Sequence, residues 1–349
     1  MNIGKTVLIS RTDSIGDVIL TLPVAVVIKQ SRPDCRVLFL GSDYTRPIVE
    51  ACPSVDQFVS WTELKDKPLD AQVQWFRNLD IDTILHVFPN KAVARIAKKA
   101  GIANRVGTSH RLFHWTTCNH LPNFSRKNSV LHESQLNCLL LSPFVENMPP
   151  SLNVIGQMQL LQPSTQPFDF DQLIDPSRFN LILHPKSKGS AREWGLDNFA
   201  RLIELLPSQQ YKIFVSGTKA EGELLKNAIL EPYKDRITDL TGKMALADFI
   251  TFISRCDALI AASTGPLHIA AAVGTQAIGI YPPMRPIHPG RWQPVGKKVK
   301  VFVADKPCSD CDIYPFVKEL IELDKRYHAN WETYDNYGRT GDADGSSAE

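Results

Sequence analysis

The chain has 349 residues, 43% of them hydrophobic and 22% charged, with a formal net charge of +2. This composition fits a globular protein too long for one ordinary core, so two domains are expected. It excludes a membrane-spanning helix, since no apolar run nears ~20 residues, and a secretory signal, since Arg11, Asp13 and Asp17 interrupt the apolar start; seven scattered cysteines exclude a disulfide framework, and a cytoplasmic protein is expected.

Taken in chain order, Thr6–Ser10 is a β-branched apolar run that predicts a buried strand, followed by a polar loop and a helical pattern over Asp17–Gln30. Further strands are predicted at Arg36–Leu40, Gln57–Val59 and Thr83–Val87, with helices between them. Pro143, Pro149, Pro150, Pro163 and Pro167 interrupt regular structure and read as an interdomain linker. Alternation then resumes. Asn180–His184, Lys212–Ser216, Ala258–Ala262 and Ala277–Tyr281 read as strands, and Asp197–Leu206, Ala220–Leu230, Leu246–Arg255 and Pro266–Val273 as helices. Tyr314–Trp331 reads as a further helix and Gly338–Glu349 as a disordered tail. Strand–helix alternation predicts an α/β protein of two doubly wound parallel sheets, with a ligand cleft at the carboxyl ends of the strands.

Charge is unevenly spread. The first 165 residues hold 17 Lys/Arg against 13 Asp/Glu, and the remainder 22 against 24. From Thr83 to His132 there is no acid, but Lys91, Arg95, Lys98, Lys99, Arg105, Arg111, Arg126 and Lys127 all fall there. A solvated helix face accounts for some of these; a window this long suggests an anionic partner.

Three loops, each between a predicted strand and a helix, carry candidate chemistry. In Arg11-Thr12-Asp13-Ser14-Ile15-Gly16-Asp17, Gly16 permits a tight turn or a close approach, and Asp17 is either a helix cap or a cleft carboxylate acting as general base, with Asp13 its rival. The loop is not Gly-x-Gly-x-x-Gly, so a dehydrogenase-type dinucleotide site is not expected. The second loop, His184 to Trp194, has Lys186, Lys188 and Arg192 with Ser187, Gly189 and Ser190, a set suited to a pyrophosphate. In the third, Ser263-Thr264-Gly265-Pro266-Leu267-His268, a strand ends and Pro266 suits the first turn of a helix, whose N-terminus favours a phosphate, with His268 in reach. Cys308-x-x-Cys311 has no second Cys pair or His partner at metal spacing, so no zinc site is expected.

Together these segments resemble glycosyltransferase family 9, the heptosyltransferases. The match runs in order through Arg11 to Asp17 with Leu20-Thr21-Leu22-Pro23, then Ser187 to Trp194 with Asn198-Phe199, then Val215-Ser216-Gly217 with Glu221, then Leu240 to Met244, and finally Thr264 to Ala272. The resemblance implies a GT-B architecture of two Rossmann-like domains facing across a cleft: an acceptor-binding domain over 1–165 and a nucleotide-sugar-binding domain over 166–312. A helix within 313–337 would cross back to the first domain, ahead of the tail at 338–349. It implies an inverting, metal-independent enzyme without cofactor that moves a sugar from a nucleotide donor, ADP-heptose above all, to an anionic lipopolysaccharide-core or lipid-linked acceptor at the cytoplasmic face of the inner membrane.

By the same resemblance, Asp17 is the base, with Asp13 its rival from the loop itself, and Ser187, Lys188, Arg192, Thr264 and Gly265 hold the donor phosphates. Glu221 and Met244 face the nucleoside, and His268 and Ser263 the donor sugar. Gly16 is expected on the acceptor, and so, from the acid-free basic window, are Lys98 and Lys99. Ser263 stands where members specific for heptose often carry an acid, which leaves the sugar open; the loop from Tyr281 to Trp292 is expected to reshape that pocket. The alternatives are a non-catalytic nucleotide-sugar or glycolipid binder on the same fold, and another GT-B enzyme such as a hexosyltransferase or sugar-nucleotide epimerase.

Overall fold

The computed structural model describes residues 1–127, 129–282 and 288–303. The predicted Tyr314–Trp331 helix, the tail and the Cys308/Cys311 pair lie outside the described residues.

Two parallel sheets form the frame. The first holds β1 (Thr6–Ser10), β2 (Arg36–Gly41), β3 (Gln57–Ser60), β4 (Thr83–His86) and β5 (Asn104–Val106), in the order β3-β2-β1-β4-β5. The second holds β6 (Phe179–His184), β7 (Tyr211–Val215), β8 (Ile237–Asp239), β9 (Ala258–Ala262), β10 (Gln276–Tyr281) and β11 (Val299–Val303), in the order β11-β10-β9-β6-β7-β8. In each sheet the first strand lies in the middle and the chain winds out to one side, then returns to wind out to the other. That reversal falls between β1 and β4, and again between β6 and β9. Side chains cannot fill the space outside the carboxyl ends there, because the flanking connections leave in opposite directions. The loops after β1, β6 and β9 therefore open onto crevices.

The strands are apolar on both faces, as helix-covered parallel sheets require. In β1 the alternation sends Val7 and Ile9 to one face and Leu8 to the other. The face holding Val7 and Ile9 belongs to one cluster that also contains Ile182 of β6 and Leu259 and Ala261 of β9, so a single apolar mass joins the two sheets.

Several elements differ from the sequence-based expectation. The helix predicted over Asp17–Gln30 is two, Ile15–Ile19 and Leu22–Ser31. Pro23 in the first turn of the second has no N–H to donate to the preceding turn, and the Thr21 hydroxyl donates to the Asp17 carbonyl at 2.8 Å across the break. Strands β5, β8 and β11 were not expected; β5 and β8 are three-residue, half-polar edge strands with no clear period. The helix predicted over Ala220–Leu230 starts at Lys219, and its end, Lys226–Leu230, widens into a π turn. Residues after the proline cluster begins still pack on the first sheet's side: Gln162 N–H donates to the Ala51 carbonyl at 2.8 Å.

Candidate active site

A cleft of about 970 Å³ lies between the two halves. The three loops singled out from the sequence meet in it. Its lining includes Gly16 and Asp17 from the first half, with Ser187, Lys188, Arg192, Glu221, Met244, Ser263, Thr264, Gly265 and His268 from the second.

Asp17 is the third residue of the Ile15–Ile19 helix, and the N-cap position belongs to Ser14. The Ser14 hydroxyl makes no capping bond; it donates to one oxygen of Asp17, while the Arg11 guanidinium donates to the other. Asp17 is thus a carboxylate held at the cleft wall and not a backbone cap. Its rival Asp13 accepts from Arg11 Nε at 2.7 Å but does not line the cleft, and burial raises its pKa against the opposing pull of Arg11.

The helix starts Ile15–Ile19 and Gly265–Val273 touch each other at glycine. A methyl group built on Gly16 would lie 2.9 Å from His268 Cδ2, and one built on Gly265 would lie 3.0 Å from Ile15 Cβ. Both glycines are required for close approach across the cleft floor. His268, 4% exposed, leaves Nδ1 without a hydrogen-bond partner, and burial drives its pKa down to about 4, helped by His132 and opposed by Asp17. It is neutral at pH 7.

The Gly265–Val273 helix presents its positive end to the cleft. Its N-cap Thr264 makes no side-chain cap bond, and the Thr264 hydroxyl, on a residue 5% exposed, has no partner. A buried, unpaired hydroxyl beside free helix N–H groups suits an anion.

In the loop after β6 one of the three expected cations is already neutralised. Lys186 pairs with Glu193, whose other oxygen accepts the Ser187 N–H at 2.9 Å and the Ser187 hydroxyl at 3.2 Å. Lys188 and Arg192 line the cleft without an ion-pair partner among the described residues. Lys188 sits at φ +50° followed by Gly189 at φ +79°, a left-handed pair that turns the loop sharply. Next to them, His184 is hydrogen-bonded to Ser216 at 3.0 Å and is held neutral by burial, with a pKa near 4.

Glu221 has a structural duty as well as a place in the lining. One of its oxygens accepts the Thr218 N–H at 2.7 Å and hydroxyl at 2.9 Å, closing a capping box at the Lys219–Leu225 helix. Ser263 lines the cleft near the buried Tyr281, whose phenol donates to the Trp292 carbonyl at 2.9 Å.

Lys98 and Lys99 are not brought to the cleft. They end the Lys91–Ala100 helix, which runs back from the carboxyl end of β4, so its last turn lies at the amino edge of the sheet. Lys98 Nζ donates there to the Thr116 carbonyl at 2.7 Å. The acid-free window thus did not predict cleft cations at these positions, because charge in sequence says nothing of which end of a helix faces a crevice.

Sequence reasoning also missed a charged centre behind the base. Arg11 is 4% exposed and meets Asp13, Asp17 and Glu133 with its three nitrogens. Glu133, 1% exposed, also meets Arg126 and, from the second half, Arg291. Burial disfavours the Arg11 charge, but the three carboxylates outweigh it and raise its pKa. The signal in the sequence was Glu133 itself, the first acid after the acid-free window.

Comparison with known proteins agrees with this fold. The profile of glycosyltransferase family 9 (heptosyltransferase) matches residues 136–318, more than half of the chain. A Haemophilus influenzae chain named as a glycosyltransferase is 25% identical, over 95% of this chain and 99% of its own length. The Escherichia coli ADP-heptose lipopolysaccharide heptosyltransferase II superposes with a TM-score of 0.73 at 18% identity, covering 93% of this chain and all of that one. An E. coli heptosyltransferase solved with ADP gives 0.68 at 18% identity, covering 91% and 99%. The fold is therefore GT-B, and with the profile spanning most of the second sheet and its loops, the chain belongs to glycosyltransferase family 9, the heptosyltransferase family, and is a glycosyltransferase.

Proposed function

We propose that the protein moves a sugar, heptose or a close relative, from an ADP-linked donor onto an anionic lipopolysaccharide-core or lipid-linked glycan acceptor, with inversion at the anomeric carbon, Asp17 as general base and no metal ion. The carrying observation is the pairing of two unlike walls. Asp17 is aimed by Arg11 and Ser14 on one side, and the Thr264 hydroxyl, the Gly265–Val273 helix start, Lys188 and Arg192 form an anion cradle on the other.

A sugar hydroxyl is a weak nucleophile, so a fixed carboxylate that takes its proton contributes ~10²–10⁴-fold. The proton goes to Asp17 as the acceptor oxygen attacks the anomeric carbon and the bond to the diphosphate breaks. Negative charge then builds on the diphosphate, where Arg192, Lys188 and the helix N–H groups take the part a metal ion would play. Attack from the Asp17 wall on a donor anchored at the opposite wall gives inversion. The adenosine moiety would lie against Met244 with Glu221 toward the ribose, Glu221 keeping one oxygen outside its capping box. Gly16 clears the floor for the acceptor and His268, neutral, faces the donor sugar. Among the described residues no helix is long and apolar enough to cross a membrane.

Titration with ADP, UDP, GDP and CMP without metal, followed by transfer assays with wild type and Asp17→Asn, tests this reading. Selective ADP binding with transfer abolished in Asp17→Asn and binding retained is the expected result. Undiminished transfer by Asp17→Asn moves the base to Asp13, and ADP binding without any wild-type transfer turns the protein into a binder.

A further inference from the structure

Behind the base lies a paired centre whose two members mirror each other. Arg11 is a cation ringed by three carboxylates: Nε meets Asp13 at 2.7 Å, one terminal nitrogen meets Asp17, and the other meets Glu133 at 3.3 Å. Glu133 is a carboxylate ringed by three guanidiniums: Arg11 and Arg126 on Oε1, and Arg291 on Oε2 at 3.1 Å. Three positive and three negative charges are thereby balanced around a buried Arg11–Glu133 pair, the other four side chains being partly exposed. A buried group of this kind keeps one geometry, because losing any member leaves another charge unpaired.

Its members come from distant parts of the chain. Arg11 follows β1, Arg126 lies in the first half and also donates to Asn137 at 3.0 Å, and Glu133 opens the Glu133–Cys138 helix. Arg291 comes from the Pro289–Trp292 helix, after β10 of the second sheet, and lines the cleft. It also donates to the Arg126 carbonyl. Directly before Glu133, His132 is hydrogen-bonded to the Gln293 carbonyl at 2.9 Å, so the two halves are pinned at two adjacent points.

We infer that Glu133 is a positioning residue for Asp17, and that Arg291 makes this positioning depend on the docking of the nucleotide-binding half. Each of the three Arg11 nitrogens has a carboxylate partner, so the face it offers Asp17 is set by where Glu133 holds its opposite nitrogen. Glu133 is in turn drawn toward the second half by Arg291. Separation of the halves withdraws Arg291, leaves Oε2 of Glu133 unpaired, and loosens Arg11 and with it the base. The base is thus fully aimed only when the wall that carries the donor is in place. This inference rests on Asp17 acting as base; the physical coupling it describes does not.

The test has two arms. Hydrogen exchange on the free protein compares wild type, Arg291→Gln, Glu133→Gln and the double variant. Arg291→Gln should speed exchange at residues 14–21 about ten-fold (the equivalent of ~1.4 kcal/mol), although the hydrogen bonds of Arg291 go to Arg126 and Glu133 and to none of these residues, while the Gly265–Val273 helix stays protected. In the double variant the effects should not add. Unchanged exchange at 14–21, or additive effects, overturns the coupling; if Glu133→Gln fails to fold, Arg291→Gln and Arg291→Lys decide the matter alone, Lys retaining part of the protection.

The second arm uses turnover with ADP-heptose and a deacylated core acceptor. Glu133→Gln should lower kcat by ~10–100-fold, the scale of a misplaced reacting group, with ADP affinity unchanged and kcat partly restored by Glu133→Asp. A fall in ADP affinity with kcat preserved overturns the positioning role. Absence of wild-type transfer counts against the transfer reading, and the exchange arm still decides the coupling.

Discussion

A single methyl group on Gly16 is expected to force the two halves apart. Its Cβ would stand 2.9 Å from His268 Cδ2 and 3.2 Å from Nε2. Carbon atoms meet comfortably at ~3.5–4.0 Å, so the ring or the helix has to give by about 0.5–1 Å. The ring is enclosed, with 4% of His268 exposed, and cannot swing into solvent. Overpacking of this order costs ~1–3 kcal/mol. Because Gly16 and His268 belong to different halves, the cheapest relief is separation of the two helix starts, and unfolding is not needed. Gly16→Ala should therefore lower transfer roughly 5- to 150-fold, shift the melting temperature little, and speed amide exchange in the Ile15–Ile19 helix. Adding His268→Ala removes the obstructing ring and should restore the exchange protection. Wild-type exchange and turnover in Gly16→Ala, or no recovery of protection in the double variant, would refute the steric argument.

Charge reversal of Lys98 and Lys99 together should leave donor affinity and acceptor kcat/KM unchanged, because both lie at the amino edge of the first sheet; a weaker acceptor response in steady-state kinetics would show that the acceptor reaches that far. Arg192→Met should weaken ADP binding by roughly 10–150-fold, as loss of a charge-assisted bond does, measured by calorimetry. Lys186→Met should weaken it less, since Glu193 already holds that ammonium. Burial holds His132, His184 and His268 near a pKa of about 4 and His86 near about 3, so the folded protein takes up these protons far less readily than the unfolded chain, in which His titrates near ~6.5. Stability is then fully present above pH ~6.5 and is lost as pH falls toward 4, with a slope of at most ~5 kcal/mol per pH unit from these groups. Calorimetric melting between pH 4 and 7 checks this, and a flat profile would contradict it.

Much of the plan was legible in the chain itself. An apolar run such as Thr6–Ser10 or Ala258–Ala262 has only one way to bury both faces, so strand identity and parallel topology follow from local pattern. The small-residue loops after β1, β6 and β9 read as ligand loops because Gly, Ser and Thr leave backbone N–H groups accessible, and all three open on the one cleft. The short edge strands β5 and β8 were not legible, since a three-residue strand is defined by its neighbour's free edge and has no period of its own.

What only the tertiary structure decided is which charges are available. Eight cations in the acid-free window look alike in sequence, yet Arg126 is committed to a buried carboxylate and Lys98 to a backbone carbonyl far from the cleft. Lys186 looks equal to Arg192 until Glu193 is seen to neutralise it. Glu133, Arg11 and Arg291 are separated by more than a hundred residues of chain at each step, and no local pattern connects them. Periodicity and turn chemistry act between neighbours in sequence, so the chain alone specifies elements and loops. Desolvation and ion pairing act between neighbours in space, so the fold decides which of the residues in those loops remain free to meet a substrate.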